Sequence, residues 1–168
     1  MRAKIFQILL LLFLAGVVLA IPARVSFRDG AVPVLRTPSG MAIFLQLAET
    51  EQERIQGLGG KASIAENSGL LFVFPERDFH GMWMKGMMFP LDLVWLNERE
   101  PQIDADERQT NRDQRKTLVV VDLKENVSPE TYPTVFYPKE RIRYVLELKA
   151  GTAKRAGMEI GALLTVEK

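Results

Sequence analysis

Leu70-Leu71-Phe72-Val73-Phe74 is the stretch whose reading decides the fold. It is a five-residue run of β-favouring apolar side chains, the pattern of a strand. Pro75 follows and predicts the end of that strand, because proline cannot donate to a ladder. Working outward, Ala42 to Leu47 (Ala-Ile-Phe-Leu-Gln-Leu) reads as a buried strand on the upstream side. Downstream, further strands are predicted at Met82–Lys85, at Leu91–Leu96 entered after Pro90, at Thr117–Leu123, at Arg143–Leu148 and at Leu163–Val166. Helical signals are few. Thr50 followed by Glu53 is a capping-box pattern opening a helix from about Glu51 to Leu58, which Gly59-Gly60 ends. Gly151 to Gly157 reads as one or two helical turns. The balance predicts an α+β fold, mainly antiparallel β, with a small barrel-like or strongly curved sheet and one or two short helices over its ends.

The chain has no cysteine, so disulfides are excluded and stability rests on a packed core. Residues 1–20 have the layout of a secretory leader. Arg2 and Lys4 form a basic start, Ile8 to Val18 is an apolar run, and Val18-Leu19-Ala20 offers a cleavage site. The run is short for a spanning helix, which needs ~20 apolar residues; an uncleaved N-terminal anchor is the alternative. The expected location is outside the cytoplasm, periplasmic or secreted. Removing the leader takes away two bases and no acid, moving the formal charge from +1 to −1. A near-neutral domain has no global electrostatic reason to seek nucleic acid. Residues 21–39 read as a tether and first strand, and 40–168 as one domain, expected to be monomeric, with membrane contact only through the N-terminal segment.

Between Glu98 and Lys116 the composition changes. That stretch holds six acids and five bases but one strongly apolar residue, Ile103, and is predicted to be a solvated hairpin or loop.

Five pieces then occur in order: Glu53-Arg54 with Gly57-Leu58, Gly69 to Phe74, Trp83-Met84-Lys85, Pro90-Leu91-Asp92, and Tyr144 to Leu148 with Ala150-Gly151. Together they resemble the domain of unknown function 192 family, small bacterial and archaeal proteins, over roughly residues 40–168. The resemblance implies a compact β-rich α+β domain, often behind a signal peptide, with no settled activity. Two positions depart from the family's pattern. Gly59 stands where a methionine is usual after Gly-Leu, and Gly86 where an asparagine usually follows Trp-Met-Lys. The charged stretch 98–116 looks like an insertion in the family's hairpin.

No cofactor is expected. A single histidine, His80, cannot build a multi-histidine metal site, and neither a Gly-x-Ser-x-Gly elbow nor a His-Glu-x-x-His helix is present. Gly57 to Ser63 imitates a phosphate loop, but Ile55 falls where its first glycine belongs and Ala62 where Ser or Thr belongs; it reads as a helix stop.

The densest candidate site is Trp83, Lys85 and Asp92. Residues two apart on a strand share a face, so Trp83 and Lys85 point one way and Met82 and Met84 the other. If that strand forms a hairpin with the next, Asp92 joins them, and an indole, an ammonium and a carboxylate suit a small polar or sugar-like ligand. The simpler reading is a Lys85–Asp92 ion pair beside a core Trp83. Arg54 and Glu147 rank second, most simply as an ion pair. Acid–base work by Asp92 or Glu147 would make the protein a hydrolase-type enzyme. His80, Met82 and Met84, within a segment to Met88 holding four of the seven methionines, offer soft ligands for copper; core filling is the plainer role. The reading that unites these is an exported, non-catalytic ligand-binding or accessory domain of the cell envelope.

Overall fold

The computed structural model describes residues 32–99 and 116–167. Residues 1–31, read above as a leader and tether, and residues 100–115 of the charged stretch lie outside the described residues. In chain order the elements are β1 (Val34–Arg36), β2 (Ala42–Ala48), α1 (Glu51–Gln56), β3 (Ser68–Asp78), β4 (Met82–Trp83), β5 (Leu91–Glu98), β6 (Lys116–Val127), β7 (Val135–Phe136), β8 (Ile142–Lys149), α2 (Thr152–Arg155) and β9 (Leu163–Glu167).

Seven strands close into a barrel in the order β1-β2-β3-β8-β5-β6-β9, and β9 pairs back onto β1. The expected barrel-like α+β fold is therefore present. β2 and β3 are parallel; the other barrel pairs are antiparallel. Parallel neighbours need a long crossover, and α1 lies in the one that joins β2 to β3. Thr50 caps α1 as predicted: its hydroxyl accepts from the Glu53 amide, and the Glu53 carboxylate accepts from the Thr50 amide.

Pro75 does not end β3. Pairing with β8 holds from Gly69 to Val73, lapses, and resumes at Asp78 opposite Ile142. Proline removes a ladder donor without forbidding extended backbone, so the strand continues while its hydrogen bonds stop.

The apolar run Leu70–Phe74 turns alternate side chains into two different clusters. Leu71, Val94, Leu96, Leu146 and Leu148 fill the barrel interior. Leu70, Phe72, Leu93, Trp95 and Val145 alternate with them and form a second cluster on the outer face. That outer face is covered by Leu58 after α1 and by Met82, Met84 and Phe89 from the segment between β3 and β5. Within that segment β4 pairs with β7 in a separate two-stranded ribbon. α2 adds Ala153 and Ala156 to the interior cluster. Where the charged stretch leaves β5 and enters β6, the Tyr144 hydroxyl donates to Glu98, which also pairs with Lys116.

Candidate functional site

β5 has β6 on one side and β8 on the other, so no edge remains for β4. The hairpin that would have carried Asp92 to Trp83 and Lys85 does not form; β4 meets β7, with Trp83 opposite Val135. Asp92 lies on the interior face opposite Leu148 and is 0% exposed. Its Oδ1 accepts from the Asn126 amide and its Oδ2 from the Ala153 amide, each at 2.9 Å. Both oxygens are committed to holding the end of β6 and the start of α2. The predicted Lys85–Asp92 ion pair is absent among the described residues, and Asp92 is fully buried with a backbone amide on each oxygen.

Trp83 and Lys85 do share a face. Met82 and Met84 are buried, while Trp83 is 47% exposed, which overturns its placement in the core. The Lys85 ammonium stands 5.7 Å from the Trp83 ring centroid, a cation–π contact worth ~0.5–1 kcal/mol at an exposed position.

Trp83 forms one wall of a cleft of about 220 Å³ between α1 and β4, completed chiefly by Ile55, Phe72, Phe74, Met82 and Arg54, with Glu51 on the rim. Arg54 enters this cleft instead of pairing with Glu147. Its Nη1 donates to the Glu49 carbonyl at 2.5 Å and the Val73 carbonyl at 3.0 Å, and its guanidinium lies 5.5 Å from the Phe74 centroid. The His80 ring stacks on Phe74 at 3.6 Å, 7° from parallel, and its Nε2 is bonded to the Glu76 carbonyl. His80 is thus tied up in the wall of this region, while Met82 and Met84 pack in the outer cluster. Among the described residues no group of His, Asp and Glu side chains is arranged to hold a metal.

Glu147 sits behind the cleft. Alternation places it on the outer face with Val145 as predicted, between Leu70 and Leu93 on the neighbouring strands. Gly57 covers it. With φ +50° this residue takes a conformation that favours glycine, and a Cβ there would lie 3.4 Å from Phe72 and 3.7 Å from Glu147 Oε2. Glu147 Oε2 is buried with no hydrogen-bond partner. Burial pushes its carboxyl up to about 8, and the Leu58 amide pulls it only partly back. Near neutral pH Glu147 is mainly a neutral acid, a donor and not a base.

The two glycines that depart from the family's pattern face each other beside this turn. A Cβ on Gly59 would lie 3.3 Å from the Lys85 carbonyl, and the Gly60 amide donates to the Gly86 carbonyl at 2.9 Å. The turn after α1 and the turn after β4 are thereby joined by backbone. A larger cleft, about 440 Å³, lies between β6 and β7. Its buried acid, Asp122, is already bonded to the Leu123 and Lys139 amides.

Sequence reasoning missed Ile55, Phe72 and Phe74 as cleft walls. One signal was available: Ile55 is a large apolar residue on a short helix, and it stays 69% exposed.

No curated protein matches the chain. Among solved structures, a provisionally named transcription regulator from Sinorhizobium meliloti 1021 is 28% identical, covering 82% of this chain and 96% of that one, with a TM-score of 0.62. A protein of unknown function from Novosphingobium aromaticivorans DSM 12444, 22% identical over 80% of this chain and 83% of that one, shares the fold with a TM-score of 0.61. The family model described as DUF192, uncharacterized ACR, matches residues 34–166, from the first residue of β1 into β9. The chain belongs to the DUF192 family.

Proposed function

We propose that this protein is an exported, non-catalytic domain of the cell envelope that binds a small polar ligand in the cleft between α1 and β4. The observation that carries the reading is Trp83. A large indole left 47% exposed beside a cation, over a concave aromatic wall, loses apolar burial unless something covers it. Arg54 and Lys85 supply charge and Trp83 supplies a flat apolar face, the mix by which small-molecule sites fix orientation. Export and a monomeric state rest on the leader pattern and the near-neutral remainder of the chain. The regulator name of the S. meliloti protein is not carried over, because a net charge of −1 without the leader supplies no general pull toward nucleic acid.

Thermal-shift screening against saccharides, amino acids and small organic anions tests the reading. A ligand that raises Tm for the native protein should give no shift with Trp83→Ala, while that variant still melts cooperatively. Full protection surviving in Trp83→Ala would remove the cleft from the function.

The acid–base alternative narrows to Glu147, since Asp92 is bonded at both oxygens. Gly57 and Phe72 lie over Glu147, and its Oε2 meets no solvent.

A further inference from the structure

We propose that the cleft between α1 and β4 selects a small planar monoanion, an aromatic carboxylate, with Arg54 receiving the carboxylate and Trp83 packing on the ring. This rests on the ligand-binding reading above and narrows it to a chemical class.

Three features decide the class. Ile55, Phe72, Phe74, Met82 and Trp83 line the cleft and offer almost no hydrogen-bonding atoms. A sugar presents hydroxyls around its whole rim and would leave most of them buried without partners. A planar apolar ring meets no such penalty and stacks on aromatic walls. The second feature is charge. Arg54 lines the cleft with Glu51, and Lys85 stands beside Trp83 at its edge. Glu53, whose charge also acts on Arg54, accepts from the Glu49 and Thr50 amides and bonds neither Nε nor Nη2 of Arg54, so those donors are left for an anion. An anion is therefore favoured over a neutral or cationic ring.

The third feature is preorganisation. Both hydrogens of Arg54 Nη1 are committed to carbonyls, so the guanidinium is held in place before a ligand arrives. Among the described residues its Nη2 and Nε have no such bonds, and these donors form the fork that matches a carboxylate. Little side-chain entropy remains to be lost on binding. The volume sets the size. About 220 Å³ lies below the ~300–1,000 Å³ of pockets for drug-sized ligands, which limits the body to one ring or a fused pair.

The test is calorimetric titration of the full chain with indole-3-carboxylate and its neutral analogue indole-3-carboxamide, at low salt. The carboxylate should bind at least tenfold more tightly. Arg54→Gln should abolish that difference, leaving both probes alike. Because Arg54 also bonds two carbonyls, Glu51→Gln provides a second variant on an exposed side chain; removing its negative charge should tighten the carboxylate two- to threefold and leave the carboxamide unchanged. Equal affinity of the native protein for both probes, or discrimination that persists in folded Arg54→Gln, overturns the inference. If both probes bind equally and Trp83→Ala loses both, the charge selection falls while the cleft stands as a binding site. If neither binds while a saccharide gives Trp83-dependent protection, the aromatic-anion class falls and the binding reading survives. Absence of binding by either probe together with no Trp83-dependent protection in the wider screen removes both.

Discussion

Replacing Glu147 with Gln should erase a specific pH dependence of stability. The folded protein holds this carboxyl at about 8, against an ordinary value of 4.5. Between those values the folded state keeps a proton that the unfolded chain releases, so stability falls as pH rises. Below 4.5 both states are protonated and the group contributes no slope. Above 8 both are ionised, and the loss is complete. Each pH unit inside the window is worth about 1.4 kcal/mol, so roughly 3 kcal/mol is lost between pH 5 and 7.5, and about 5 across the whole interval. Urea denaturation of native and Glu147→Gln proteins at half-unit steps from pH 5 to 9 measures it. Subtracting the two curves cancels the pH dependence common to both proteins. With a urea m-value of about 2 kcal/mol/M, the native midpoint should fall by about 1.5 M relative to the variant between pH 5 and 7.5. A flat difference curve would refute the reasoning, because it would mean that Glu147 is solvated or paired in the folded protein.

Asp92→Asn should lower stability by about 3 kcal/mol at neutral pH, because an amide cannot accept from both the Asn126 and Ala153 backbone groups; a urea midpoint shift with unchanged m-value checks it. Trp83→Phe should change stability by less than about 1 kcal/mol and remove the iodide-quenchable part of the fluorescence, leaving the shielded emission of buried Trp95. Gly57→Ala should cost about 1 kcal/mol or more through its positive φ, measured by thermal melting. Thr50→Ala should cost about 1 kcal/mol by removing the helix cap, a loss that urea denaturation would reveal.

The sequence by itself determined the elements and their faces. Alternation, the capping box and the position of proline are local chemistry, and they located β2, β3, β5, β6, β8, β9 and α1 with shifts of a few residues at their ends. The same alternation correctly put Trp83 with Lys85 and Glu147 with Val145. Tertiary structure decided which faces meet. Asp92 looked like a neighbour of Lys85 because they lie close in sequence, but β6 and β8 occupy both edges of β5 and send β4 to β7. Arg54 looked like the partner of a lone acid on an apolar strand, yet two backbone carbonyls hold it in the cleft. Leu70–Phe74 marked a strand; which layer covers each of its faces depends on contacts between residues distant in the chain, where periodicity carries no information. Barrel closure and the packing of Leu58, Met82, Met84 and Phe89 over the outer face supplied that layer, and with it both the cleft and the buried acid behind it.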